Sequence, residues 1–440
     1  MPDGSVSLDD KYTLESGRVF LTGTQALVRL PLMQRQRDQA NGLNTAGFIS
    51  GYRGSPLGGF DQQLWRAKKY LKQQQIHFQP GVNEDLAATA VWGSQQGDIF
   101  GDFNYDGVFS MWYGKGPGVD RCGDVFRHGN FAGTAKNGGV LVLAGDDHAA
   151  KSSTAAHQCE YAFMDAMIPV LAPAGVQEFL DLGLYGWAMS RFSGCWVGFK
   201  AVGETVDSSA SCHVDPLRIQ IKLPEDYLLP DGGLNIRWGG ALDVLRQEEY
   251  HHRYKLYAAL AFARANKLDK AVIDGPKRRI GLISAGKAYL DLRQALDDLG
   301  IDEKQAQDLG ISLYKVAMSW PLEPEGIREF CEGLDEVLVV EEKRAVIENQ
   351  LKEQLYNWDL NKRPRITGKF DRDYPDQFAA PALPSYGELS PAKVARAVGH
   401  LLDRAGISTA KIRQRLEFLD QKENELSHEI APIARIPHFC

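Results

Sequence analysis

Between residues 18 and 228, short runs rich in β-branched and aromatic residues alternate with longer stretches whose apolar positions recur three or four apart. The short runs predict strands at Ala46–Ser50, Gly107–Trp112, Val140–Ala144, Ile168–Ala172 and Trp196–Val202. The longer ones predict helices at Thr24–Asp38, Gly59–Gln74, Glu84–Gln96 and Val176–Phe192. Such alternation specifies an open parallel sheet covered by helices, so the expected class is α/β. Leu228–Gly240 then crowds Pro, Gly and Asn together as turns do. The expected division is a first α/β domain over residues 10–228 and a linker with one long polar helix over 229–277. A smaller α/β domain over 278–363 follows, then a helical wrap or linker over 364–440 with amphipathic stretches at Pro391–Ala405 and Ala410–Leu426.

Composition narrows the function classes. The chain has 440 residues, enough for two or three domains and too many for one small binding module. Lys plus Arg number 50 against 57 Asp plus Glu, with no basic block, so no electrostatic footprint for nucleic acid or anionic lipid is present. No run approaches the roughly eighteen apolar residues that cross a bilayer, and the first residues lack a leader pattern. A cytoplasmic protein with small-molecule and protein partners is expected. The six cysteines are scattered without a CxxC pair, which predicts reduced, buried thiols rather than disulfides or a zinc site.

In open α/β sheets ligands sit beyond the carboxyl ends of the strands, so the loops that follow strands are the places to search. Ser50–Gly59 is a glycine-rich loop that permits close backbone approach to a ligand, although it matches neither GxGxxG nor a P-loop. Pro80–Asp85 brings Glu84 to the start of a helix of small residues. A carboxylate there is either a helix cap or a group held for a ligand. Tyr113–Asp124 sets glycines beside Lys115 and Arg121, and is either an anion-holding loop or a crossover with solvated charges. Ala144–His148 carries Asp146 and Asp147, with Ser152, Ser153 and Thr154 behind. One local run supplies too few ligands for a hard metal, and hydrogen bonding that shapes the loop is the better reading. His251 and His252 are read as surface residues of a polar helix, and Cys159 near His157 has no third partner in the local sequence.

Six ordered blocks, SGYRGSPLGGFD, FQPGVNEDLAATAVWGSQ, KGPGVDRCGDVFRHGN, GGVLVLAGDDHAAKSST, SAGKAYLDLRQAL and VLVVEEKRAVIE, resemble the indolepyruvate:ferredoxin oxidoreductases. These form one group of the thiamine-diphosphate-dependent 2-oxoacid:ferredoxin oxidoreductases, and the resemblance runs from about residue 10 to the last residue. It implies that residues 10–228 are a pyrimidine-binding-type domain and that residues 278–363 are transketolase-C-terminal-like. The implied activity is oxidative decarboxylation of an arylpyruvate such as indolepyruvate, with coenzyme A taking the acyl group and ferredoxin the electrons. The family glutamate that hydrogen-bonds the aminopyrimidine ring falls on Glu84, the expected catalytic residue.

The family's Gly-Tyr-Pro-Gly-Thr-Pro loop corresponds to Gly51-Tyr52-Arg53-Gly54-Ser55-Pro56, which makes Tyr52, Arg53, Gly54, Ser55 and Pro56 expected neighbours of substrate or cofactor, together with Lys115, Arg121, Asp146 and Asp147. Arg53 stands where the family has proline and Ser55 where it has threonine. The strand before Asp146 lacks the arginine that pyruvate-specific relatives use. No GDG-type diphosphate motif occurs, and Cys440 alone cannot hold an iron-sulfur cluster. Thiamine diphosphate is therefore expected to be shared with a diphosphate-binding domain or subunit, with magnesium and iron-sulfur clusters in the complete enzyme but not liganded by this chain, which is expected to be inactive alone and to be a homo-oligomer. The face beside Glu84 is expected to expose Tyr52, Leu57 and Trp112 to that partner. The alternative is a non-catalytic scaffold or pseudo-subunit. A nicotinamide dehydrogenase would need a GxGxxG turn, and none is present.

Overall fold

The computed structural model describes residues 6–101, 103–151, 155–237, 243–370 and 382–429. The chain divides into two units: one runs to Asp147 and resumes over His157–Asn266, and the other holds His148–Ala156 and the described residues from Lys267 to Glu429.

The strands of the first unit are β1 (Gly17–Thr22), β2 (Ala46–Gly51), β3 (Ile76–Phe78), β4 (Val108–Lys115), β5 (Val140–Asp146), β6 (Val170–Leu171), β7 (Val197–Val202) and β8 (Ser209–Val214). Within this unit β2 to β7 pair in parallel in the order β6-β7-β5-β4-β2-β3, while β1 and β8 form a separate antiparallel pair. All seven residues of β5 are buried, as helices on both faces require of an interior parallel strand. The helix Gly23–Ala40 opens on a reciprocal cap, in which the Gln25 amide donates to Thr22 Oγ1 at 3.2 Å and the Thr22 amide to Gln25 Oε1 at 3.0 Å. The region expected as one helix over Gly59–Gln74 is two, Phe60–Arg66 and Lys68–Gln73, broken at Ala67.

The long polar helix expected before residue 266 differs in kind. Val244–Tyr250 is helical and exposed, His251–Lys255 is a π-turn, and Leu256–Ala265 buries Ala258, Ala259, Ala261 and Phe262. The extra residue of the π-turn re-phases the helix. His251, expected at the surface, is consequently fully buried, stacked on Phe131 with ring centroids 5.0 Å apart. Its Nε2 donates to the Met167 carbonyl at 3.0 Å, and burial, with Lys255 close by, pushes its pKa down to about 3, so the ring is neutral.

The second unit contains β9 (Lys270–Ile273), β10 (Ile280–Ala285), β11 (Ile311–Val316), β12 (Met318–Trp320), β13 (Glu336–Val340) and β14 (Arg365–Thr367). Five pair in the order β14-β13-β10-β11-β9, with β9 antiparallel. Leu282, Leu338 and Val340 face one core and Ile283, Val316 and Val339 the other, the period-two alternation of a sheet covered on both sides. The helix Pro391–Arg404, read from sequence as part of a wrap, sends Val394, Val398, Leu401 and Leu402 into the first of these cores. Its apolar stripe belongs to the sheet it covers. Among the described residues no helix is long and apolar enough to cross a membrane.

Candidate functional site

Strand order fixes where the site can lie. The chain leaves β2 for β3 on one side and then crosses back to β4 on the other, so the order reverses between β2 and β4. A crevice forms at such a switch point, beyond the carboxyl ends of the strands. The register places the ends together: Gly51 lies opposite Tyr113, Lys115 opposite Gly145, and Asp146 opposite Val202. The loops after β2, β4 and β5 therefore emerge side by side. The loop after β3 joins them through the Gly81 amide, which donates to the Gly51 carbonyl at 2.8 Å.

Glu84 is the first residue of the helix Glu84–Ser94, and it does not cap that helix. The cap is Asn83, whose Oδ1 accepts from the Leu86 amide at 2.9 Å. Trp112 of β4 fixes this helix end by donating its indole N–H to the Glu84 carbonyl at 3.1 Å. The Glu84 side chain is only 9% exposed. Arg121 comes within 3.9 Å of its Oε2, and no hydrogen-bond donor among the described residues reaches the carboxylate. The backbone beneath it belongs to Gly118, where a Cβ would lie 2.7 Å from Glu84 Cγ. A side chain at position 118 would thus displace the carboxylate.

On the other flank, the Lys115 stem lies over Gly54, where a Cβ would meet Lys115 Cδ at 2.8 Å. Lys115 is half-buried and has no ion pair among the described residues. Tyr52 and Arg53 are exposed, Ser55 and Pro56 are half-buried, and the Ser55–Pro56 peptide is cis. Arg121 is exposed and shared between Glu84 and Asp85. The expected apolar face is corrected by two residues. Leu57 and Trp112 are fully buried: the loop after β2 folds Leu57 back against Gly145, and the interior strand β4 directs Trp112 into the core, edge-on to Phe126. Tyr52 remains exposed, beside Val82 at 82% and Leu86 at 54%.

Asp146 is turned inward. Its carboxylate accepts from the Cys159 amide at 3.0 Å and the Cys159 thiol at 2.7 Å, and lies 3.3 Å from Lys200 Nζ. The third partner that local sequence withheld from Cys159 and His157 is therefore Asp146. His157 Nδ1 is 3.4 Å from Asp146 Oδ1, and Nε2 is 2.8 Å from Asp120 Oδ2. Burial alone would lower the His157 pKa, but the two carboxylates override it and hold the imidazolium above its ordinary range. Burial pushes the Cys159 thiol well up, and Asp146 adds to it, so this is no activated nucleophile. Asp146, His157 and Cys159 bring potential ligand atoms within 4.8 Å of one another. The Lys200 ammonium already supplies the positive charge that a metal would bring, and the cluster reads as an ion-paired network that shapes the loop. Asp147 contributes its carbonyl, which accepts from the His157 amide at 3.4 Å. Sequence proximity alone could not have found Asp120 and Lys200, which reach the cluster from the short helix Gly116–Arg121 that follows β4 and from β7.

Ser152, Ser153, Thr154 and Cys440 lie outside the described residues. The other five cysteines are free and buried.

Comparison with known proteins adds an independent line. Residues 269–429 match the indolepyruvate ferredoxin oxidoreductase middle domain. The chain is 25% identical over 427 residues to an indolepyruvate oxidoreductase subunit IorA of Pyrococcus horikoshii, covering 96% of this chain and 57% of that protein. It is 23% identical over 352 residues to the subunit of the same name from Methanothermobacter marburgensis, covering 79% and 50%. The chain thus spans little more than half the length of the curated relatives it matches. Among solved structures, a 2-oxoglutarate:ferredoxin oxidoreductase from Magnetococcus marinus superposes with a TM-score of 0.57 at 13% identity, covering 89% of this chain and 65% of the other, a likeness of fold.

Proposed function

From the resemblance of this chain to the indolepyruvate:ferredoxin oxidoreductases, we propose that it forms the pyrimidine side of a thiamine diphosphate site in a 2-oxoacid:ferredoxin oxidoreductase. The substrate class is an arylpyruvate, and a diphosphate-binding domain or subunit completes the site. The observation that carries the reading is Glu84, a nearly buried carboxylate reached by no hydrogen-bond donor, at the switch point of a parallel sheet. A buried carboxylate without hydrogen bonds is costly, and a ligand N–H offsets that cost. The residues present fit the cofactor: Glu84 would face a ring nitrogen of the aminopyrimidine, and Ala87, Ala88 and the Gly118 backbone leave room for a flat ring.

Thiamine diphosphate, when bound, supplies the carbanion chemistry that decarboxylation of a 2-oxo acid needs. The chain's own part is to hold and polarise. Glu84 would share a proton with the ring nitrogen, the kind of positioned proton exchange that speeds reactions. Ser55 offers its hydroxyl to the substrate from the loop after β2. Lys115 supplies positive charge for the substrate carboxylate, in the absence of the arginine used by pyruvate-specific relatives. Asp146, already committed to Lys200 and Cys159, positions its loop and leaves the substrate to others.

The deciding experiment is Glu84→Gln in the assembled enzyme, assayed for acceptor reduction with indolepyruvate, thiamine diphosphate, magnesium and coenzyme A. Loss of activity with unchanged folding supports the reading. Activity near that of the unmodified enzyme would refute it.

A further inference from the structure

The first unit holds a second concavity at the opposite ends of its strands. It is bordered by Leu43, just before β2, and Asn137, just before β5, and encloses about 500 Å³. That is within the range of sites for compact organic ligands. Its walls are Leu184 and Phe192 of the helix Val176–Ser193, with Ile221, Leu223, Leu229 and Leu234 of the segment that follows β8. Leu223 is 62% exposed and Leu229 46%, so apolar surface stands in water at the mouth. A ligand that covered it would gain from burial.

The polar lining sets the sign of the ligand. Asp38 is the one carboxylate described there besides basic and amide side chains, and its oxygens are occupied. Arg191 donates to both, at 2.7 and 2.8 Å, Thr45 Oγ1 donates at 2.7 Å and Gln34 Nε2 at 2.9 Å. Arg37, also in the lining, is differently placed. Its Nη1 donates to the neutral carbonyls of Pro216 at 2.8 Å and Ile219 at 3.1 Å, and the guanidinium makes no ion pair among the described residues. The cavity therefore couples an apolar body to a guanidinium that makes no ion pair among the described residues, Asp38 acting on it only through space.

We propose that this cavity binds a hydrophobic anion, with an aromatic or acyl body against Leu184, Phe192 and Leu234 and its acidic group on Arg37. The site is separate from the Glu84 crevice, and its test does not depend on the thiamine reading. Fluorescence titration of the full chain with anilinonaphthalene sulfonate, a hydrophobic anion, and with its uncharged counterpart phenylnaphthylamine reads the site directly. One saturable site for the sulfonate is expected, displaced by decanoate. Ala188→Trp, which fills the lining, should abolish binding of both probes. Arg37→Gln should weaken the sulfonate about tenfold and leave the uncharged probe unaffected. Leu223→Asp, at the exposed mouth, puts a negative charge in the path without touching the core, and should weaken the sulfonate more than the neutral probe. Thermal unfolding checks that each variant folds, and Leu223→Asp decides the matter if Ala188→Trp does not. No saturable site, sulfonate binding unchanged by Ala188→Trp in a folded protein, or equal loss of both probes in Arg37→Gln and Leu223→Asp would overturn the proposal.

Discussion

Asn83 and Glu84 are adjacent, and the division of labour between them makes the site testable residue by residue. Asn83 holds the helix end, so Asn83→Ala should cost about 1 kcal/mol of stability. Glu84→Gln should change stability by less than about 1 kcal/mol and lower the activity of the assembled enzyme by about 10²- to 10⁴-fold. Denaturant unfolding and steady-state turnover on the same two variants separate the roles. The place of Glu84 at the start of a helix was legible in the sequence, because a carboxylate opening a run of small residues is a local pattern, whereas the role proposed for it rests on the family resemblance. The His157 cluster was not, since its partners meet only once β4, β5 and β7 are aligned. That cluster has its own pH signature. The carboxylates Asp146 and Asp120 raise the folded pKa of His157 above the unfolded value of about 6.5. The imidazolium therefore stabilises the fold fully below that pH, and its contribution is lost as pH rises through the folded pKa. Compared with His157→Gln, the unmodified protein should show its largest advantage in melting temperature near pH 6 and a shrinking one above pH 7.

At the scale of elements, periodicity located the central strands and long helices well, because buried strands of a parallel sheet are continuous apolar runs. It failed where one residue changes the phase. The π-turn at His251–Lys255 turns a pattern that reads as polar into a helix with a buried half, and no composition rule reports an inserted residue. β9 also went unread, as its exposed lysine and short length give little signal. Just before β9, Asp269 is half-buried; one carboxylate oxygen accepts from the Ala317 amide at 2.7 Å and the Met318 amide at 3.0 Å, and the other is shielded from solvent with no hydrogen bond among the described residues. Burial, opposed by those amides and reinforced by Glu323, raises its pKa to about 7. The folded state thus keeps a proton that the unfolded state releases near pH 4, and stability falls as pH rises through the interval. Asp269→Asn retains an oxygen for the two amides and removes the charge. Its stability relative to the unmodified protein should rise between about pH 4 and pH 7, by an amount of order a few kcal/mol, as measured by denaturant unfolding at each pH.

For the whole molecule, the alternation of strands and helices along the sequence was enough to read an α/β chain, whereas the burial of Trp112 depended on β4 becoming an interior strand and that of Leu57 on the path of the loop after β2. The apolar side chains exposed beside Glu84 are Val82, Leu86 and Tyr52. If a diphosphate-binding partner docks there, Val82→Asp and Leu86→Asp should leave unfolding within about 0.5 kcal/mol and weaken association. Sedimentation of the mixed components checks this, and unchanged association in both variants would count against that face. The path of the backbone has a further consequence, for genes rather than energies. The polypeptide passes from one unit to the other after Asp147, returns after Ala156 and leaves again after Asn266. His148–Ala156 is held in the second unit, where the Lys343 ammonium donates to the His148 carbonyl and Lys151 lies 3.0 Å from Glu388. A recombination breakpoint at Asn266 would look on paper like a clean seam between modules. The upstream product would nonetheless carry His148 and Lys151, whose partners Lys343 and Glu388 lie on the other side, so an exchange at that seam keeps both contacts only where the downstream half brings a lysine and a glutamate to those positions.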